Sequence, residues 1–196
     1  MHEYTSNKSH RKIIIIIITI LSLIINLVLT PLCNLIVASI SDKIGSPFTV
    51  FILLIGVGFS SIFGILYLLF DRCLWKIVPG IKSQKISGIY SCDGKSNYKI
   101  PEWKGTITIK QTWSKILISL KTDNSYSQSY VASIEVLDDG NIILYYCYRN
   151  NPNGNSKGLN KHEGTADINF DGVKIQGKYY NYPKDRHRYG TFVLTK

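Results

Sequence analysis

The sequence predicts two N-terminal transmembrane α-helices followed by an all-β domain, an eight-stranded antiparallel up-and-down β-barrel. Two long apolar runs without charged residues occupy most of the first 70 residues. From about residue 85, short segments rich in isoleucine, valine, threonine and tyrosine alternate with turn residues. These patterns divide the chain into an N-terminal tail (1–12), a transmembrane hairpin (13–70), a linker (71–85) and a barrel domain (86–196).

The first apolar run extends from Ile13 to Ile40 and the second from Phe48 to Phe70. A helix needs about 20 apolar residues to cross a bilayer. A secretory signal peptide is the alternative, but its apolar stretch is shorter and ends at a small-residue cleavage site, a pattern that does not follow here. We therefore predict two permanent spans. Pro31 either kinks the first helix or ends it near Thr30.

Basic residues predict how the hairpin is oriented. They lie before the first run and after the second, whereas the loop between the runs has only Lys43, next to Asp42. Because positive charge is retained in the cytoplasm, both ends of the hairpin and both termini are expected there. The flanking basic residues are Lys8, Arg11, Lys12, Arg72, Lys76, Lys82 and Lys85.

Small residues recur every fourth position in the second run, at Gly56, Ser60 and Gly64. Residues at this spacing share one face of a helix, and small side chains let helix backbones approach closely in lipid. This face predicts either association between copies of the chain or packing of the two spans on each other.

The remainder of the chain is about the size of one domain and contains eight candidate strands. Tight turns separate several of them, including "DDGN" at 138–141 and "FDG" at 170–172. Eight strands joined mostly by hairpins favour an up-and-down barrel, because closure removes the sheet edges; a two-sheet sandwich is the alternative. The candidate strands are Lys85–Cys92, Lys104–Gln111, Lys115–Lys121, Gln128–Leu137, Asn141–Arg149, His162–Phe170, Val173–Asn181 and Arg188–Thr195.

From Ile81 onward the chain has 17 Lys and Arg against 10 Asp and Glu, a net charge of 17 − 10 = +7. A basic domain next to a membrane is attracted to anionic lipid headgroups. An anionic ligand is the more specific interpretation, and the two are compatible.

Two tyrosine-rich strands carry the candidate ligand site. Alternation places Tyr148 and Asn150 on one face near a strand end, and Tyr179 and Asn181 on one face of another strand. Arg149 points away from this face unless the strand twists or bulges. Aromatic rings stack on bases, asparagine pairs with base edges and arginine clamps phosphate, a combination that suits a small nucleotide. The predicted site is Tyr146, Tyr148, Arg149, Asn150, Tyr179 and Asn181, with Trp113 and Thr108 as weaker candidates.

Tyrosine is also a common strand residue that lines barrel rims without binding anything. No pattern for nucleophilic, phosphate-loop or metal-assisted catalysis occurs, and the four cysteines, Cys33, Cys73, Cys92 and Cys147, lack metal-site spacing. The sequence predicts no enzymatic activity, no metal and no cofactor.

Four motifs resemble a known family: "WKGTITI" (Trp103–Ile109), "YYCYRNNPN" (Tyr145–Asn153), "HEGTADI" (His162–Ile168) and "GKYYNY" (Gly177–Tyr182). Together with two spans, a linker and a small β domain, they are similar to the two-transmembrane β-barrel effectors of bacterial cyclic-oligonucleotide antiphage systems (CBASS). The resemblance covers nearly the whole chain.

The resemblance implies that a nucleotidyltransferase makes a cyclic dinucleotide during infection and that the barrel binds it. The effectors then form homo-oligomers in the inner membrane, breach the bilayer and kill the infected cell, with neither DNA nor RNA as a partner. Two alternatives remain: a lipocalin-like barrel that carries a lipid or other apolar molecule, and a filled adaptor barrel. If the rim is the site, Arg149→Ala loses nucleotide binding while the barrel stays folded.

Overall fold

A computed structural model describes residues 1–7, 10–41, 58–81, 84–97, 102–153, 161–171, 174–181 and 188–196. The chain forms two compact units. One combines Met1–Ser9 with Lys76–Lys196, and the other is His10–Trp75. The sequence did not reveal that the N-terminal residues group with the barrel strands.

Two short strands, β1 (His2–Glu3) and β2 (Thr5–Ser6), precede helix α1 (Arg11–Ser41). Within the described part of the chain, one helical stretch, Arg11–Ile36, is long and apolar enough to cross a membrane. Pro31 lies inside α1 and the helix continues past it, so Pro31 does not end the helix near Thr30. Most large apolar side chains of α1 are exposed, as expected of a helix whose surroundings are lipid.

Helix α2 (Phe59–Arg72) is the described part of the second predicted span. Residues 42–57, including Gly56 of the predicted small-residue face, lie outside the described residues. Helix α1 packs on α2, and Ile18 and Ser22 of α1 are buried. A Cβ placed on Gly64 meets nothing within 4 Å, so at Gly64 the small-residue face is not used for packing within the helical unit.

Eight longer strands form the β domain. They begin and end within a few residues of the predicted bounds, with the largest difference at the first strand, which the structure shifts toward the C-terminus. The strands are β3 (Gly88–Ser96), β4 (Glu102–Gln111), β5 (Lys115–Thr122), β6 (Ser125–Val136), β7 (Ile142–Pro152), β8 (His162–Phe170), β9 (Ile175–Asn181) and β10 (Arg188–Thr195).

Each long strand pairs antiparallel with its sequence neighbour, and β10 pairs with β3 to close the barrel. This arrangement confirms the up-and-down barrel and contradicts the two-sheet alternative. At the turn between β6 and β7, Gly140 has a φ of +88°, a conformation that glycine adopts without steric cost. The predicted turn at 138–141 is thus confirmed.

Strand pairing in the barrel wall is sparse between β5 and β6, which pair with each other only from Ser119 to Lys121 of β5. Beyond these pairs, β1 pairs antiparallel with β5 and β2 pairs parallel with β6. Residues 1–7, which we call the N-terminal strap, therefore complete the wall along the seam between β5 and β6. Part of the predicted N-terminal tail (1–12) therefore belongs to the barrel wall.

Alternate residues of every long strand point into the barrel, as strand geometry requires. Branched aliphatic side chains fill its middle, so the interior is largely packed rather than open. Among the residues that form this core are Ile107, Ile109, Ile116, Ile118, Ile134, Leu144 and Ile168.

Candidate ligand-binding site

Polar side chains replace the aliphatic core at one end of the barrel, where β7 ends and β8 begins. Asn150 lies opposite His162 in the β7–β8 pairing, and Arg188 lies opposite Asn181 in the β9–β10 pairing. Burial alternates along each of these strands so that these four positions are on the inward face. We call this region the polar end of the barrel.

The strands bring the predicted tyrosines and asparagines together as expected. Tyr146, Tyr148 and Asn150 share the inward face of β7 and are less than 10% exposed. Tyr179 and Asn181 share the inward face of β9 and are half-buried. The prediction that these five side chains face one way on their strands is thus confirmed; whether they bind a ligand stays a prediction.

Tyr148 and Asn181 are joined by a hydrogen bond that crosses an intervening strand. The Tyr148 hydroxyl donates to the Oδ1 atom of Asn181, and Gly164 of β8 lies opposite both residues. A Cβ on Gly164 would lie 2.7 Å from each of the two bonded oxygen atoms. Only glycine leaves enough space at this position for the hydrogen bond to pass.

Other aromatic rings of the interior also lie over glycines directly across the strand. A Cβ on Gly94 would lie 2.0 Å from the Trp103 ring, and one on Gly190 would lie 2.5 Å from the Tyr179 ring. The Trp103 indole donates to the Tyr179 hydroxyl at 3.3 Å, and the two rings meet edge to face. The glycines therefore determine where the aromatic rings rest at this end.

Two polar side chains, Tyr146 and Asn150, face the interior of the barrel from β7. Tyr146 is 8% exposed and Asn150 is 7% exposed, yet neither side chain makes a hydrogen bond to another residue in the described part of the chain. These two side chains are free to bind a polar molecule that enters the barrel.

Burial controls the protonation of the groups in the interior. Desolvation raises the pKa of Tyr146 and Tyr148 above the ordinary range of tyrosine, with minor contributions from neighbouring groups. Desolvation, with the charge of Asp93, raises the pKa of the Cys92 thiol to about 12. The tyrosines thus remain hydroxyl donors at physiological pH, and Cys92 remains an unreactive thiol.

Three predicted residues are not brought to the polar end. Arg149 lies on the outer face of β7, where its guanidinium contacts Glu163 at 2.7 Å and lies over the Tyr130 ring. Thr108 is on the outer face of β4, and Trp113 is buried in the turn at the opposite end of the barrel. β7 is regular at Arg149, which pairs with Gln128 of β6. The bulge in the β6–β7 pairing lies on β6, between Ser129 and Val131.

The structure adds two inward residues that the prediction did not include, Arg188 and His162. Both could have been found by counting in steps of two, from Phe192 and Leu194 in β10 and from Ile168 in β8. The sequence predicts a strand that begins at Arg188, but the site prediction assigned no face to that strand. Arg188 is therefore the cation that the described residues place inside the polar end.

A depression of about 320 Å³ lies elsewhere, on the wall formed by β3, β4 and β10. Most of its lining comes from outward-facing residues, among them Asp93, Lys95 and Lys104. None of the tyrosines and asparagines of the polar end line the depression, although Trp103, which does, contacts Tyr179.

The fold defines this chain as a small closed β-barrel linked to an apolar helix of membrane-spanning length. Residues 81–196 match the family described as Cap15, cyclic dinucleotide receptor domain. The chain belongs to this family, which confirms the resemblance drawn from its motifs.

A curated relative supports the assignment. CD-NTase-associated protein 15 from Yersinia aleksiciae is 34% identical over 143 residues, or 67% of this chain. The matched region spans 65% of the length of that relative.

Proposed function

We propose that this protein is a CBASS effector whose barrel binds a cyclic dinucleotide at its polar end. Binding leads to homo-oligomers in the bacterial inner membrane and to loss of membrane integrity, which kills the infected cell. A partner nucleotidyltransferase supplies the ligand, and the chain acts as a receptor without catalysing a reaction. Membership of a cyclic dinucleotide receptor family supports the ligand class.

The observation that carries this proposal is the pair of buried, unpartnered polar side chains, Tyr146 and Asn150. A base can accept from the Tyr146 hydroxyl and pair with the Asn150 amide, which offers both a donor and an acceptor. A fatty acid satisfies neither group along its chain. The interior polarity therefore favours a nucleotide over the lipocalin-like alternative.

The phosphates of the ligand are assigned to Arg188. Its side chain lies on the inward face of β10, opposite Asn181. The residues proposed to bind the bases and the residue proposed to bind the phosphates therefore lie at the same end of the barrel. Other basic residues, such as Lys104 and Lys178, point outward and contribute to the general positive field of the domain.

The chain connectivity supports two spans with both termini on one side of the membrane. The strap before α1 and the chain from Lys76 onward belong to the same compact unit. A chain that leaves this unit and returns to it must cross a membrane an even number of times. The second apolar run of the sequence, residues 48–70, is the proposed second crossing, and the flanking basic residues favour the cytoplasm for the barrel.

Oligomerisation is assigned in part to the small-residue face of the second span. Ser60 is exposed, and a Cβ on Gly64 meets nothing within 4 Å, so this face is available to a helix of another copy. Gly56 extends the same face in the sequence. Ligand binding would favour the associated state through its higher affinity for that state.

The test is thermal unfolding of the full chain in detergent with a panel of ligands: cyclic dinucleotides, matched linear dinucleotides and fatty acids. A ligand at about 100 times its Kd stabilises the folded state by about 2.7 kcal/mol, which raises the Tm by several degrees. We expect this shift for a cyclic dinucleotide, and Asn150→Ala should remove it. A shift with fatty acids alone would support the lipocalin-like function, and no shift with any ligand would support the filled adaptor.

A further inference from the structure

The N-terminal strap binds the barrel as a short docking peptide would. Backbone pairs join His2 to Ile116 on one side, and Thr5 and Ser6 to β6 on the other. The Asn7 side chain donates to the Val136 carbonyl at 3.0 Å and accepts from its amide at 2.9 Å. Main-chain pairing of this kind is how extended peptides add to a sheet.

Side chains make the docking specific. Tyr4 is 4% exposed; its hydroxyl accepts from Gln111 Nε2 at 3.3 Å and donates to the Thr112 carbonyl. His2 Nε2 lies 2.8 Å from the Ser129 hydroxyl, which also accepts the Ile118 amide. The strap is thus recognised by one buried aromatic ring and several polar contacts along the seam.

The strap and its seam are remote from each other along the chain. Residues 10–75, the whole helical unit, separate the strap from the start of the barrel. The strap is therefore not tied by a short loop to the seam of its own barrel. A second copy offers the same peptide, so its strap can make every contact just described.

We infer that the strap is exchanged between copies, so that the strap of one chain occupies the seam between β5 and β6 of its neighbour. This inference rests on the oligomerisation in the proposed function and names a contact for it. Donor and acceptor are different surfaces, so the contact is heterologous and can extend beyond a dimer. Confinement to a membrane raises the effective concentration of neighbouring straps.

Thr5 and Ser133 allow a direct test, because they lie opposite each other in the β2–β6 pairing with hydroxyl oxygens 2.9 Å apart. One tagged copy carries Thr5→Cys and a second copy, with another tag, carries Ser133→Cys. After co-expression, isolated membranes are treated with a thiol oxidant, because the cytoplasm keeps thiols reduced. We expect a disulfide between the two tags, at least fivefold above Thr5→Cys with the unmodified chain. Gln128→Cys, on the outer face of β6 away from the strap, is the matched control and should not link.

Native electrophoresis of the same samples distinguishes failure of strap exchange from failure of oligomerisation. Oligomers without a disulfide between the tags would overturn strap exchange and leave the oligomerisation standing. If neither oligomers nor the disulfide form, both are overturned.

A second measurement does not depend on cysteine geometry. A synthetic peptide of residues 1–7 is added to the chain that lacks these residues. Exchange predicts that the peptide binds and raises the Tm of the truncated chain, whereas a peptide with Tyr4→Ala binds at least tenfold more weakly. A peptide that does not bind in trans contradicts exchange, since the strap of a neighbour could not dock either.

Discussion

The hydroxyl of Tyr148 on β7 donates a hydrogen bond to Asn181 on β9, reaching past the strand that separates them. The bond exists because Gly164 occupies the intervening position on β8. Three neighbouring strands thus bring the Tyr148 ring, the Asn181 amide and the bare backbone of Gly164 into contact at the polar end.

Gly164→Ala is expected to destabilise the barrel by about 1–3 kcal/mol, the usual effect of overpacking a filled interior. The added Cβ would lie 2.5 Å from the Tyr180 carbonyl oxygen, an atom that cannot move without disturbing the β8–β9 pairing. Thermal unfolding of the full chain measures the loss. Gly64→Ala is the matched control, since its Cβ meets nothing within 4 Å, and it should not destabilise.

Tyr148→Phe is expected to lower the free energy of unfolding by about 1–3 kcal/mol, because Asn181 loses its donor inside the barrel. Cyclic dinucleotide binding should weaken as well, because the Asn181 amide is then free to rotate. Denaturant unfolding and calorimetric titration measure the two effects. Tyr145→Phe, on the exposed outer face of the same strand, should change stability by less than about 0.5 kcal/mol. Equal effects of the two substitutions would argue against an interior site.

Two arginines distinguish an interior site from a site on the outer rim. Arg188→Ala should weaken cyclic dinucleotide binding at least tenfold, because it removes the inward cation of the polar end. Arg149→Ala should leave binding within about twofold and stability within about 1 kcal/mol, because it removes an exposed ion pair with Glu163. Calorimetric titration of both variants with the cyclic dinucleotide measures the two affinities. The opposite pattern would support the rim site expected from the sequence, in which Arg149 clamps the phosphates.

Alkaline pH should destabilise the barrel through its buried tyrosines. Burial raises the pKa of Tyr146 and Tyr148 in the folded state, whereas both titrate near pH 10 when unfolded. Their contribution to stability is therefore complete below about pH 10 and is lost as the pH rises toward the folded-state pKa values. Denaturant unfolding between pH 8 and pH 11 should show this decline, and Tyr148→Phe should make it shallower. An identical decline in that variant would exclude Tyr148 as a source.

The double variant Gly56→Leu and Gly64→Leu should reduce oligomerisation and membrane damage while leaving ligand binding unchanged. Bulky side chains prevent the close helix approach that small residues allow. Native electrophoresis, dye leakage from cells and calorimetric titration give the three readouts. Ile65→Leu, at an exposed position of the same helix, is the control. Full toxicity of the double variant would reject this face as an association surface.

Sequence patterns predicted most of the wall of the barrel. Alternation assigned the inward faces of β7 and β9 correctly, and the "DDGN" turn was located where β6 meets β7. Alternation also indicated that Arg149 faces away from Tyr148. In the structure β7 is regular at this position, so Arg149 lies on the outer face. The strap was not predicted, because strands of two residues carry no periodic signal.

The sequence by itself determined which elements form and which side of each strand is apolar, because a strand repeats every two residues and an amphipathic pattern is local. Only the tertiary structure decided which side chains meet: Tyr148 with Asn181 across Gly164, and Tyr4 with Gln111 beneath the seam. Those partners depend on strand register and on closure of the barrel, and residues distant along the chain set both together.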